Sequence, residues 1–247
     1  MLDASVSGDV ERLQTLIASG APLEQIDETS EHRDTALRAA ARHGQLRSLE
    51  ELLKAGAAVD AVSDRGFSAL WFACRNGHET VVQVLLAARA TVEKGDNDGW
   101  TPLFTACQNG HNQVVRVLLS AKADANRMAA NGVTSLVLAV QARHRECVAL
   151  LLEMGGAAPD QAAERDGCTA LFNAAERGDV DCATLLLNAH AAVDAPSKIG
   201  CTPLFIASQE GHAPCVQLLL AAGVHAHVIQ HPLWLPVGVV DCRPEGS

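Results

Sequence analysis

Three observations in this sequence predict an all-α fold, a solenoid of stacked antiparallel helix pairs with β-hairpin-like turns projecting between them. A phrase of the form Thr/Ser-x-Leu returns at Thr35, Ser68, Thr101, Thr134, Thr169 and Thr202, at intervals of 33, 33, 33, 35 and 33 residues. A fixed period in that range marks stacked repeats. Each return also opens the same local grammar: a helix start, a Gly stop, then a second apolar stretch at helical spacing. Finally, hydrophobic residues make up 48% of the chain but aromatics only 3%, and Tyr is absent. An interior of Ala, Leu and Val suits close packing between helices.

The grammar is clearest in "GFSALWFACRNGHETVVQVLL" (66–86) and "GWTPLFTACQNGHNQVVRVLL" (99–119). Thr101 is a helix N-cap, and Pro102 sits at the first helical position, where a missing N–H is harmless. Leu103, Ala106 and Cys107 form a small apolar stripe. Gly110 ends that helix, because glycine adopts the left-handed conformation with least strain. Val114, Val115, Val117, Leu118 and Leu119 give a second helix its apolar face. Asp98-Gly99, Asn131-Gly132 and Asp166-Gly167 then suit tight turns.

Applied along the chain, this reading places units near 1–29, 30–62, 63–95, 96–128, 129–163, 164–196 and 197–229, followed by an apolar, Pro-containing tail, 230–247. The first unit is short, and Asp9, Glu11, Arg12 and Gln14 interrupt its apolar positions, as suits a cap. The fifth unit has Arg143 where others have Gly, with extra residues in "EMGGAAPDQ". A non-Gly residue in a left-handed turn costs about 1 kcal/mol, so this is the expected soft point. Pro232 and Pro236 bar a helix in the tail. Either the tail folds over the open end, or the chain is a fragment of a longer array.

The T-P-L, N-G-H, V-V…L-L and A-D-x-N positions of "GWTPLFTACQNGH…VVRVLLSAKADAN" resemble the ankyrin repeat, over about residues 1 to 228. The resemblance implies a curved stack with hairpin tips on one side, and partner binding by those tips and the exposed end of each first helix. It has a departure. Where such repeats have His after T-P-L, this chain has Arg38, Trp71, Phe104, Val137, Phe172 and Phe205, read here as packing between units rather than as an aromatic binding stripe.

Transferred position by position, the slot before each Thr or Ser holds Asp34, Phe67, Trp100, Val133, Cys168 and Cys201. Phe67 and Trp100 are large rings with no core to explain them on an exposed tip. Together with the variable positions Arg65, Arg75, Asn76, Asn97, Asp98, Gln108 and Asn109, they form the candidate partner-binding surface. Arg165, Asp166, Glu176, Arg177, Lys198, Gln209 and Glu210 carry mixed charge farther along, suited to tuning orientation and on-rate.

Other function classes find less support. With 29 acidic against 19 basic residues, a net charge of -10 and no basic cluster, the chain offers no nucleic-acid or anionic-membrane surface. The amino terminus has no apolar h-region. Of eight cysteines, Cys74 and Cys107, Cys168 and Cys201, and Cys147, Cys182 and Cys215 recur in repeat phase, too far apart for bridges, and read as small buried hydrophobes in a reducing compartment. No phosphate loop, H-E-x-x-H, C-x-x-C or G-x-S-x-G motif occurs, so no catalytic residue, cofactor or metal is assigned. His78, His111, His144 and His212 share a slot at the start of the second helix and read as structural. His225, His227 and His231, with distant Cys242, leave a metal-binding alternative open. Asn126 matches a position hydroxylated in some proteins of the resembled family, but reads here as a turn-forming residue that satisfies neighbouring backbone groups. The expectation is a non-catalytic, monomeric, cytoplasmic or nuclear protein that binds another protein; a regulatory or inhibitory fragment of a larger protein is the alternative.

Overall fold

The computed structural model describes residues 1–26 and 34–223. These residues contain fourteen helices, paired in chain order: α1 (Leu2–Ser7) with α2 (Val10–Ala18), α3 (Ala36–Arg42) with α4 (Leu46–Lys54), α5 (Ala69–Arg75) with α6 (Glu79–Ala87), α7 (Pro102–Gln108) with α8 (Asn112–Ser120), α9 (Ser135–Gln141) with α10 (Arg145–Glu153), α11 (Ala170–Glu176) with α12 (Val180–Asn188), and α13 (Pro203–Gln209) with α14 (Ala213–Ala221). They fall into two compact units, Met1–Asp124 and Ala125–Ser247.

In the first unit α1, α3, α5 and α7 pack in one row, and α2, α4, α6 and α8 in a second. Within the second unit α9, α11 and α13 form one row, and α10, α12 and α14 the other. A first helix touches both its row neighbours and its own partner, so little of it reaches solvent. In α5, Ala69 through Cys74 are all buried. That is why these helices are short and rich in Ala and Cys, whereas α6 and α8 bury only one face.

The Thr or Ser that opens each repeat is an N-cap throughout. Ser68 Oγ accepts the Trp71 N–H at 3.1 Å, and Thr169 Oγ1 the Phe172 N–H at 3.2 Å. Thr35, Thr101, Thr134 and Thr202 do the same for Arg38, Phe104, Val137 and Phe205. The turns before them are hairpin-like without forming strands among the described residues: Ser63 N–H donates to Phe67 O, Asp96 N–H to Trp100 O, and Ala129 N–H to Val133 O. One isolated bridge joins Met128 and Thr134.

Register between pairs is held by a ladder of acceptors invisible to periodicity. Glu24 accepts the Ala58 N–H, Asp60 the Thr91 N–H and Glu93 the Asp124 N–H, all at 2.8 to 2.9 Å. In the second unit Asn126 Oδ1 accepts the Ala158 N–H at 2.7 Å and Asp160 the Ala192 N–H at 2.7 Å. Asn126 also donates to Gly156 O at 3.0 Å. Its amide thus bonds backbone on both sides, in agreement with a turn role.

The slot that holds His in a typical repeat of this kind is core. Trp71, Phe104, Val137 and Phe172 are buried, and Phe205 is half-buried. Arg38 occupies the same slot at 1% exposure, a buried charge among rings. Asp34, also buried, lies beside it, with Arg38 Nε 3.7 Å from Oδ1 and Arg42 Nη1 3.1 Å from Oδ2. Burial lowers the Arg38 pKa, and the Asp34 carboxylate opposes that shift.

The histidine slot proves structural where it is described in contact. His78 Nε2 lies 3.0 Å from Arg42 O, His111 Nε2 2.9 Å from Arg75 O, and His212 Nε2 2.9 Å from Glu176 O. Each ring reaches the last carbonyl of the preceding first helix, one of the acceptors a helix end leaves unpaired. Gln45, in the same slot, donates to Val6 O at 2.9 Å.

Candidate functional site

The aromatic residues proposed from sequence all lie in the first unit, and the helix starts position them. The extended backbone of the N-cap Ser68 turns the preceding residue back along α5, so Phe67 meets the residue four farther on. Its ring centroid is 4.2 Å from that of Trp71 at 31°, and 5.5 Å edge-on from Phe72. Trp71 and Phe72 meet at 90° and 5.4 Å. One repeat later Trp100 lies 6.1 Å from Phe104, again four residues on.

Phe67 and Trp100 are therefore half-buried, which corrects the expectation of rings standing on a tip with no core to explain them. Each lies against a buried ring of its own first helix. The two repeats are also tied together here: Trp71 Nε1 donates to Trp100 O at 3.0 Å. Offset and edge-on ring pairs of this kind add roughly 0.5–1.5 kcal/mol beyond burial.

Two guanidiniums close the cluster from outside. Arg75 lies 5.4 Å from the Trp71 ring centre and Arg42 5.9 Å from that of Phe72. Arg42 also pairs with Asp34, so the aromatic cluster and the buried ion pair are one connected structure.

Of the remaining candidate residues, three amides bond inside the unit. Asn76 Nδ2 donates to Arg42 O at 2.7 Å, Asn97 Nδ2 to Asp64 O at 2.9 Å, and Asn109 Nδ2 to Thr105 O at 2.7 Å. Asn97 N–H further donates to Arg65 O at 3.0 Å. These asparagines fix the surface. Arg65, Arg75, Asp98 and Gln108 are exposed on it.

Asp96 was missed from sequence. Its Oδ1 accepts the Trp100 N–H at 2.8 Å and the Asp98 N–H at 3.0 Å, locking the turn that carries both residues. Burial raises its pKa, and those two N–H donors oppose the shift. The signal was present as an acid two residues before Asp98 and four before Trp100, a spacing that suits an Asx turn.

On the second unit, Arg165 and Lys198 are exposed, and Asp166, Glu176, Gln209 and Glu210 half-buried. Lys198 Nζ donates to Glu164 O, and its N–H to Asp166 O at 2.8 Å. These charges, too, partly serve the join between adjacent turns.

Among the described residues no cluster of three or more His, Cys, Asp or Glu could hold a metal ion. His225, His227, His231 and Cys242 lie outside the described residues. No described helix is long and apolar enough to cross a membrane. Cys74, Cys107, Cys147, Cys182, Cys201 and Cys215 are buried cysteines, and Cys168 a half-buried one. Burial first, then the adjacent Asp179, pushes the Cys182 thiol up to about 12; burial raises Cys74 as well. Neither Cys182 nor Cys74 is poised as a thiolate nucleophile.

Comparison with known proteins agrees with this architecture. The family model for ankyrin repeats matches residues 1–96, 88–163 and 155–229. Among solved structures, the human ASB11 ankyrin repeat domain is similar at a TM-score of 0.78 and 27% identity, over 90% of this chain and 97% of that one. The ankyrin repeat domain of Bcl-3, a member of the IkappaB family, is similar at 0.72 and 29% identity, over 78% and 87% of the two chains. No curated protein matches the sequence significantly. With the repeat grammar, the paired helices and these matches in agreement, the chain belongs to the ankyrin-repeat family.

Proposed function

We propose that this chain is a non-catalytic interaction module that recognises another protein through the turn and first-helix surface of its first unit. Ankyrin repeats generally mediate protein–protein interactions. The observation that carries the placement is the half-exposed pair Phe67 and Trp100, each backed by a buried ring, with exposed Arg65, Arg75, Asp98 and Gln108 around them. Aromatic and Arg side chains anchored over a packed support are the type that dominates interfaces.

The mechanism is rigid presentation. Asn76, Asn97 and Asn109 hold backbone on this surface through their amides, and Asp96 holds the turn. Little ordering entropy is then lost on contact. The chain's acidic balance of -10 favours a partner that is not itself strongly acidic. Cysteines buried in the fold suit a reducing compartment, which supports a cytoplasmic or nuclear location.

The test compares captures from native cell extract by the wild-type chain and by Arg65→Glu/Asp98→Lys. Both side chains are exposed and, among the described residues, neither bonds another group of the fold, so circular dichroism is expected to match. A protein captured by the wild type and lost by the variant supports the surface. Identical captures from both baits move the interface elsewhere.

A further inference from the structure

Side chains four residues apart form columns along the first helices of the first unit. On α3, Asp34 lies 3.7 Å from Arg38 and 3.1 Å from Arg42. On α5, Phe67 stacks at 4.2 Å on Trp71, and the Arg75 guanidinium lies 5.4 Å from the centre of the same Trp71 ring. On α7, Trp100 lies 6.1 Å from Phe104, with Gln108 exposed four residues farther on. Helical side chains lean toward the amino terminus, which is why such residues overlap. The middle members Arg38, Trp71 and Phe104 are buried, so the columns meet solvent at their ends. At the turn end stand half-buried Phe67 and Trp100, and at the helix end exposed Arg75 and half-buried Arg42.

Arg75 is the distinctive member. It closes α5, where a cation suits the helix dipole, yet the last carbonyl of α5 already has His111 Nε2 at 2.9 Å. Arg42 is paired with Asp34, whereas among the described residues no carboxylate lies within ion-pairing distance of Arg75. A ring face attracts a guanidinium but offers its N–H groups no oxygen acceptor. Arg75 is thus a positioned cation with its carboxylate-binding donors unoccupied, in a protein of net charge -10. The corresponding slot of the second unit holds Gln141, Glu176 and Gln209, with no cation.

The two ends differ in charge as well. Asp64 and Asp98 are exposed at the turn end against the single cation Arg65, so a carboxylate of a partner is repelled there and attracted at the helix end. The distance between the ends is short. α5 has seven residues and is about 10 Å long at ~1.5 Å per residue. An extended chain covers that length with about three or four residues at ~3.3 Å each.

We propose, building on the interaction surface assigned above, that this face takes an extended segment of a partner protein that carries an Asp or Glu about three or four residues from a large apolar side chain. The carboxylate is held by Arg75, whose planar fork suits two-point bonding to it. The apolar side chain rests against Phe67 and Trp100. Because Trp71 supports Phe67 and Arg75 together, both contacts are in place before the segment arrives, which limits the ordering entropy lost on binding.

Selection from a random linear peptide library against the full chain tests this, followed by affinity measurement with a synthetic peptide of the selected sequence. The enriched peptides are expected to share an acid at that spacing from Trp, Phe or Leu. Arg75→Glu is expected to bind the synthetic peptide roughly tenfold more weakly, and to regain affinity when the peptide acid is replaced by Lys. Arg75→Gln, which adds no new charge, is expected to lose several-fold. Arg145→Glu makes the same change in net charge at an exposed site on α10 and is expected to bind as the wild type does. Near-ultraviolet circular dichroism of the variants verifies that the Trp71 cluster is intact. Failure to enrich any peptide, or equal binding of the acidic peptide by Arg75→Glu, overturns the proposal. Enriched peptides that lack the acid, yet are lost from Arg65→Glu/Asp98→Lys, overturn the carboxylate assignment and leave the interaction surface standing. Peptides bound equally by every variant overturn both.

Discussion

His111 Nε2 lies 2.9 Å from the carbonyl oxygen of Arg75, and the same imidazole fills the space where Gly77 would carry a side chain. A Cβ built on Gly77, whose φ is +75°, meets His111 Nδ1 at 2.6 Å. Gly44 with His78 and Gly178 with His212 repeat the arrangement. The turn glycine therefore answers to two demands, its own backbone and the ring of the next repeat.

Gly20 separates the two. Its φ is +79°, and a Cβ there meets nothing within 4 Å. Gly20→Ala is expected to lose about 1 kcal/mol from left-handed strain alone, and Gly77→Ala about 1–3 kcal/mol more from overpacking against the ring. Urea unfolding of both variants checks this; equal losses would remove the ring from the explanation.

Arg143 shows what happens when the glycine is absent. Its φ is +60°, and its guanidinium donates to Arg177 O. The next repeat has Asp179 in the histidine slot, where it caps its own helix by accepting the Cys182 N–H at 3.0 Å. The two changes fit each other, since an imidazole at 179 would meet the Arg143 side chain. Asp179→His alone is expected to destabilise by about 1–3 kcal/mol through overpacking and a lost cap. Arg143→Gly/Asp179→His restores the usual pair, so the double variant is expected to be more stable than the sum of the singles by roughly 1 kcal/mol or more. Thermal melts of the three variants provide the cycle.

The buried pair Asp34 and Arg38 has a similar logic. Asp34→Ala takes away the carboxylate facing a guanidinium that is 1% exposed, and a loss of about 3–5 kcal/mol is expected. The neighbouring repeats hold Phe67 with Trp71 and Trp100 with Phe104 in the same two slots. Asp34→Phe/Arg38→Trp is therefore expected to recover most of that loss. Denaturant midpoints for the single and double variants decide whether the charges or the volume matter at this site.

Alkaline pH reaches the cores through their thiols. Burial first, then Asp179, holds the Cys182 pKa at about 12 in the fold, against about 8.5 in an unfolded chain. A raised folded pKa means that the unfolded chain releases its proton first, so this stabilisation is full below pH 8.5 and is lost as pH rises toward 12. Unfolding midpoints are expected to fall between pH 9 and pH 11, with a smaller slope in Cys182→Ala. Native-state labelling of Cys182 by a thiol reagent at pH 8 is expected to be far slower than in denaturant.

Much of this molecule could be read along the chain. The return of Thr and Ser gave the starts of α3, α5, α7, α9, α11 and α13, because an N-cap acts within three residues of its own position. The left-handed turns were legible at the glycines and at Arg143, though not at Arg89, Lys122 and His190, which also have positive φ in turns with no glycine to announce them. Burial of Trp71, Phe104 and Phe172 followed from helical spacing.

Only the tertiary structure decided what the candidate surface residues do. Whether an Asn faces a partner or a neighbouring carbonyl depends on which backbone lies within 3 Å, and for Asn76 and Asn97 that backbone belongs to another repeat, 34 and 33 residues away. Phe67 and Trp100 looked like free rings because the residue before an N-cap has no fixed helical face; the turn of the chain brought each onto a buried ring. Arg38 entered the core only because Asp34 and Arg42 came with it. Local hydrogen bonding determined the helices, so the sequence specified them, whereas contacts across a repeat length determined which polar groups are occupied, and these exist only once the repeats have stacked.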